Sequence, residues 1–238
     1  MTIIPSTTGR TEIRRDWQFA VTADMVLQRQ GANARKVRLR QPRLVALAER
    51  AIAEGQSFIR SAVAYRVLKI REVKPALVVL SNGTELRGHG VARKLAGAKL
   101  AIATIATVGA EIEQQILRAT KQDAAFALAL DGYATAAVGA LIIAFRQYFA
   151  DVVAEDQLTT TTPLDPGTND WELAAAQTEL FSLVDAASIG VRLTPSFLMT
   201  PCKSVSMVIA AGKNMPAMME PCEECGASST CRHRLTNP

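Results

Sequence analysis

The four cysteines of this chain are unevenly placed. Three fall in the last seventeen residues, as Cys222-Glu-Glu-Cys225-Gly-Ala-Ser-Ser-Thr-Cys231, and Cys202 lies twenty residues before Cys222. Cysteines that fill a core scatter through apolar segments, whereas these cluster. Two thiolates on a tight CxxC turn can share one metal, a third six residues later can close on it, and Cys202 completes a four-thiolate set. Such a set suits an iron–sulfur cluster, or alternatively Zn²⁺ acting as a staple. Exposed redox-active thiols and a pair of disulfides are the remaining readings. Cys202 alone also reads as a small hydrophobe beside a strand, and Lys203 next to it would lower its thiol pKa.

Other chemistry is sparse. His89 lies in Arg87-Gly-His-Gly90 and reads as part of a tight turn before a ligand loop; His233, between Arg232 and Arg234, reads as solvated surface. Neither has a partner at HExxH spacing, and no Ser-His-acid set or carboxylate pair can be drawn, so hydrolase chemistry lacks support. GxGxxG and GxxxxGK[ST] are both missing, which weighs against dinucleotide and P-loop sites. Thr107-Val-Gly-Ala-Glu-Ile-Glu113 joins a strand to a helix, where backbone N–H groups could hold an anion; an ordinary capped junction is the plainer reading. The Pro166-Gly167 turn is either a ligand loop or a linker.

The elements that must position these groups follow from composition and pattern. The chain has 238 residues, 49% hydrophobic and 21% charged, enough to bury a core. Alanine is abundant and aromatics are 5%, which favours closely packed helices. The apolar stretch near Ala134 to Phe145 is short for a bilayer span, and Met1-Thr-Ile-Ile-Pro lacks the pattern of a signal peptide. A cytoplasmic protein without a membrane partner is expected. The first 50 residues carry ten Arg/Lys against four Asp/Glu, so the rest is near neutral given the overall +5. No helix-turn-helix, finger or zipper pattern accompanies that basic region, so an acidic protein is the expected partner and not nucleic acid.

Along the chain, a short helix is expected over Ala23 to Gln30, ended by Gly31, and a short strand over Val37 to Leu39. Pro42 opens a helix with Leu44, Leu47, Ala48, Ala51 and Ile52 on one face. Ala62 to Leu68 has an ambiguous period, Ala76 to Leu80 reads as extended, and Ser81 to Thr84 as a turn. Leu100 to Val108 reads as a central strand. A helix from Ala110 through Leu130, with Glu111 and Glu113 in its first turn, and a second over Tyr133 to Phe149 are separated by a break at Asp131-Gly132. Trp171 to Val184 is expected to be helical, Thr194-Pro-Ser196 a turn, and Ser204 to Ile209 a strand.

Ile189-Gly-Val-Arg-Leu-Thr-Pro-Ser-Phe-Leu-Met-Thr-Pro-Cys-Lys-Ser-Val-Ser206 resembles the activation (reactivation) domain of cobalamin-dependent methionine synthase. The matching marks are Gly190, Leu193-Thr194, Ser196, Met199, Pro201 and Ser204-Val205-Ser206. Ala106-Thr-Val-Gly109 with its acidic helix, and Leu130-Asp-Gly132 before an alanine-rich helix, are similar to stand-alone homologues of that domain. The likeness covers roughly residues 70–212.

This resemblance implies an α+β fold with a twisted antiparallel sheet and packed helices. With the charge and cysteine placement, the expected division is a basic N-terminal segment at 1–40, an activation-domain-like body at 41–212 and a cysteine-rich tail at 213–238 that this chain adds to the family domain. The implied function is reductive reactivation of a cobalamin (vitamin B12) system in methionine biosynthesis. The partners would be the cobalamin-binding methionine synthase module, or another corrinoid protein, and an electron donor protein. A non-catalytic corrinoid-protein-binding or assembly subunit with a zinc-stapled tail is the alternative. The resemblance assigns Gly167, Thr194, Ser196, Met199, Ser204 and Ser206 to the ligand-binding surface. The family binds S-adenosylmethionine through an Arg-x-x-x-Gly-Tyr element. Here that stretch reads Pro163-Leu-Asp-Pro-Gly167-Thr168, so only the glycine is kept, and binding would need different groups.

Overall fold

The computed structural model of the chain describes residues 10–15, 17–168 and 170–216. Its centre is β5 (Leu100–Thr107), eight residues that are all buried. A strand covered on both faces needs apolar or small side chains throughout, which is why Leu-Ala-Ile-Ala-Thr-Ile-Ala-Thr shows no alternation. β5 pairs antiparallel with β2 (Ala62–Lys74) from Ala62↔Thr107 to Lys69↔Leu100. On its other side it pairs with β9 (Ser204–Gly212), from Thr107↔Ser204 to Leu100↔Ala211. β1 (Glu12–Arg14) pairs with the first part of β2, and β3 (Leu77–Leu80) with the last part. Between them the register of β2 shifts at Ile70/Glu72, and such a bulge bends and twists a strand. The sheet therefore curls. β4 (Glu85–Arg87) closes one edge, and β6 (Thr159–Thr160) pairs with the end of β9 on the other.

Helices cover both faces. Val63, Tyr65, Ile102, Ala106, Met207 and Ile209 meet α1 (Ala23–Arg29), α3 (Pro42–Gly55) and α6 (Ala124–Ala154). Ala64, Leu68, Ala103, Ile105, Val208 and Ala210 meet α4 (His89–Lys94) and α7 (Leu173–Leu183), with Trp171 fully buried among them. The sequence expectation of an antiparallel α+β fold with packed helices is met.

Two elements differ from expectation. The break lies between α5 (Glu111–Thr120) and α6, where Asp123 caps α6 by accepting from Phe126 N at 3.0 Å. α6 then runs 31 residues straight through Asp131-Gly132. Gly132 serves close approach, not a break: a Cβ there would stand 2.9 Å from Gln30 Cγ, and Gln30 donates to Leu128 O. By length and composition α6 could also cross a membrane, but 67% of its apolar window is buried inside the fold, as in a core helix. Val37 to Leu39 is not a strand. It belongs to α2 (Ala34–Arg40), which starts at Asn33, whose side chain accepts from Lys36 N at 2.9 Å.

Candidate functional site

The resemblance stretch builds one end of the central strands. A two-stranded hairpin, β7 (Arg192–Leu193) with β8 (Met199–Thr200), leads through a cis Thr200–Pro201 bond into Cys202, Lys203 and β9. The hairpin turn is closed by Thr194: its N–H donates to Leu198 O at 2.8 Å, and its Oγ1 accepts from Leu198 N at 3.1 Å and lies 3.0 Å from Ser196 Oγ. These bonds hold Phe197 at φ 61, a left-handed conformation uncommon for a bulky residue. Leu198 is left 60% exposed at the tip, while Met199 packs against the α7-side core.

Below the hairpin, Lys203 ties three elements together. Its N–H donates to Glu113 Oε1 at 2.8 Å, in the first turn of α5. Its Nζ donates to Thr135 Oγ1 at 3.0 Å and pairs with Asp131 Oδ1 at 2.7 Å, both on α6. Its carbonyl accepts from Val108 N at 3.2 Å. Beside it, the Ser204 hydroxyl sits 2.7 Å from Pro201 O and 2.9 Å from Thr107 Oγ1, and Thr107 Oγ1 accepts from Gly109 N at 3.0 Å. At the strand-to-helix junction Val108 N–H and Gly109 N–H are thus taken up internally, but α5 follows Ala110 without the side-chain cap that the capped-junction reading expects. The network itself was not read from sequence. Its signals were present: acids at the start of α5, and an aspartate and a threonine four residues apart on α6, hence on one face.

The other expected site residues lie elsewhere. Ser206 faces α7 and its hydroxyl donates to Gln177 Oε1 at 2.9 Å, with both residues buried. Gly167, at φ +83, lies in an exposed turn that closes on itself. Its N–H donates to Trp171 O at 2.8 Å, and the Thr168 hydroxyl donates to Asp165 O at 2.6 Å. These residues do not fit S-adenosylmethionine as the family loop would hold it: Pro163 has no cation to offer a carboxylate, and the groups of Gly167 and Thr168 are used within the turn. Asp165 keeps solvent contact, yet the surrounding protein raises its carboxyl to about 6, with Arg146 opposing the rise.

The cofactor expectation is corrected. Among the described residues no group of three or more His, Cys, Asp and Glu is placed to hold a metal ion. This overturns the iron–sulfur cluster, and the zinc alternative, expected at Cys202 with Cys222, Cys225 and Cys231. Cys202 is free and exposed. Partial burial, then a hydrogen bond and the charge of Glu113, raise its thiol pKa, and Asp131 adds to the rise; Lys203 opposes them without prevailing. Cys222, Cys225 and Cys231 lie outside the described residues, as does nearly all of the tail from 213 on. His89 is a structural residue: its Nδ1 lies 3.0 Å from Pro75 O at the start of α4.

No protein-family model matches the sequence. No curated protein matches it either. Among solved structures, the chain is similar to a crystal structure of the MetH reactivation domain bound to AdoHcy, with a TM-score of 0.57 and 13% sequence identity over 87% of this chain and 79% of that one. At that identity the likeness establishes the fold alone: a curled antiparallel sheet with packed helices, as in that reactivation domain.

Proposed function

We propose that this chain docks on a protein carrying cobalamin or another corrinoid and supports its reductive reactivation in methionine biosynthesis, in the cytoplasm. In that step an electron donor protein gives one electron to cob(II)alamin; cobalt is reduced to cob(I)alamin and the donor is oxidised. The observation that carries the reading is the fold shared with a reactivation domain over 87% of the chain. The motif residues support it in a specific way. Thr194, Ser196, Ser204 and Ser206 spend their hydroxyls on the protein itself. Their role is then to hold the hairpin and the β5/β9 end rigid, as a preorganised contact surface requires. Leu198 at the hairpin and the exposed Cys202 meet the partner.

The same internal use of polar groups favours a second reading, a corrinoid-protein-binding or assembly subunit that supplies shape and no chemistry. One experiment separates them. The full-length protein is mixed with a cob(II)alamin-loaded methionine synthase module and a reductant, and cob(I)alamin absorption is followed. Faster reduction than with module and reductant alone supports reactivation. Binding without acceleration supports the assembly reading, and absence of binding sinks both.

A further inference from the structure

α2 carries a charge pattern that the fold does not need. From Ala34 to Leu44 the chain reads Ala-Arg-Lys-Val-Arg-Leu-Arg-Gln-Pro-Arg-Leu, with five cations and no acid. Only Ala34 of this seven-residue helix is buried, with Val37 packed against the core. Arg35, Lys36, Arg38, Arg40 and Arg43 are all exposed. Arg38 pairs with Asp24 at 2.7 Å; the other four have no ion-pair partner among the described residues. Like charges at Arg35/Arg38 and Lys36/Arg40 repel along the helix, which costs stability. The helix dipole rewards cations in the last turn, so it accounts for Arg38 and Arg40 but not for Arg35, Lys36 or Arg43. Amid these cations Leu39 is 79% exposed, the largest exposure of any large apolar residue described, and Leu44 is 39% exposed.

We infer that this surface docks an acidic face of a partner protein, with Leu39 as the apolar anchor inside a ring of cations. An apolar centre within a charged rim is the anatomy of a protein–protein contact. A phosphate backbone would leave Leu39 wet, and single strands gain from stacking on aromatic side chains that the patch lacks. A bilayer would require a continuous apolar face, and the one α2 has is spent on Ala34 and Val37 against the fold. The inference rests on the corrinoid-protein reading for the identity of the partner.

The test uses the full-length protein, an Arg35→Ser/Arg40→Ser/Arg43→Ser variant and a Leu39→Ser variant. Arg38 is left in place to keep its pair with Asp24. Each is first checked for wild-type thermal unfolding, then titrated onto the immobilised corrinoid module of a cobalamin-dependent methionine synthase at low and high salt. The triple variant is expected to bind about tenfold more weakly with a flatter salt dependence. Leu39→Ser is expected to bind about fivefold more weakly with the salt dependence unchanged. Wild-type affinity in both variants overturns the surface and leaves the corrinoid reading standing. No binding by the wild type overturns that reading and this surface with it. Tighter wild-type binding to duplex DNA or to phosphatidylserine vesicles, lost in the triple variant, overturns the protein partner in favour of another polyanion.

Discussion

Lys203 Nζ lies 2.7 Å from Asp131 Oδ1, but the two side chains differ in burial: the lysine is 14% exposed and the aspartate 44%. That asymmetry decides which partner is costlier to remove. Asp131→Ala strands a mostly buried ammonium with Thr135 Oγ1 as its remaining side-chain acceptor, and we expect a loss of about 2 kcal/mol. Lys203→Met keeps the packed stem and leaves a carboxylate that water can solvate, with an expected cost of about 1 kcal/mol or less. Denaturant unfolding of both single variants and the double variant checks this. Equal single costs would mean that burial does not govern the pair.

Ser206 and Gln177 join β9 to α7 in the interior. Ser206→Ala removes the donor and leaves Gln177 Oε1 buried without it, which costs about 1–3 kcal/mol. Adding Gln177→Leu replaces both polar groups and is expected to recover most of the loss. Urea midpoints of the three variants measure it, and a double variant less stable than Ser206→Ala would contradict the pairing.

The central layer was legible because β5 is fully buried: a run of apolar and small residues with turn signals on both sides has one natural reading. α2 was not. Val37 and Leu39 between cations look like a strand edge, and the cap at Asn33 that decides for helix is a single side-chain bond. The Asp131-Gly132 pair misled for a similar reason. Its residue types are those of a turn, and only the packing of Gln30 against Gly132 explains them inside a helix. At the site, the motif residues were visible as types but not as partners. Lys203 bonds residues 68, 72 and 90 positions away, separations that local pattern does not encode.

Gly55 ends α3 with its backbone against an aromatic ring: a Cβ there would stand 2.7 Å from Tyr133 Cδ1 and 2.8 Å from Leu130 Cδ1. Alanine normally stabilises a helical position by up to about 1 kcal/mol, so Gly55→Ala should reverse the usual sign and cost about 1–3 kcal/mol. Gly190 is the control. Its φ is 76 and nothing lies within 4 Å of a Cβ, so Gly190→Ala carries only left-handed strain of about 1 kcal/mol. Thermal unfolding that ranks the two the other way would refute the packing argument.

Asp165 sets a pH dependence. Its folded pKa of about 6 lies above the ordinary value of 3.8. Between those values the folded chain keeps a proton that the unfolded chain has released. Stability from this group is therefore full below the lower value, falls as pH rises through the window, and is flat above it. Its solvent contact keeps the slope shallow. Asp165→Asn should remove the slope and raise the melting temperature at neutral pH, despite losing the attraction of Arg146. Melting curves across the window that coincide for wild type and variant would rule this out.

Leu198 offers the most direct test of the docking surface at the hairpin. Its backbone is used by Thr194, through bonds of 2.8 and 3.1 Å, but the residue is 60% exposed and belongs to neither core cluster. Leu198→Asp should leave the melting temperature unchanged and weaken binding to the corrinoid module by about tenfold, through lost apolar contact and a buried charge. Thr194→Val acts differently. It removes the hydroxyl that accepts from Leu198 N and meets Ser196, so it should cost about 1 kcal/mol of stability as well as affinity. If Leu198→Asp binds the module like wild type, the hairpin tip is not the contact. If Thr194→Val then still weakens binding, the surface lies nearer Cys202 and Lys203, where the loosened hairpin meets the start of β9.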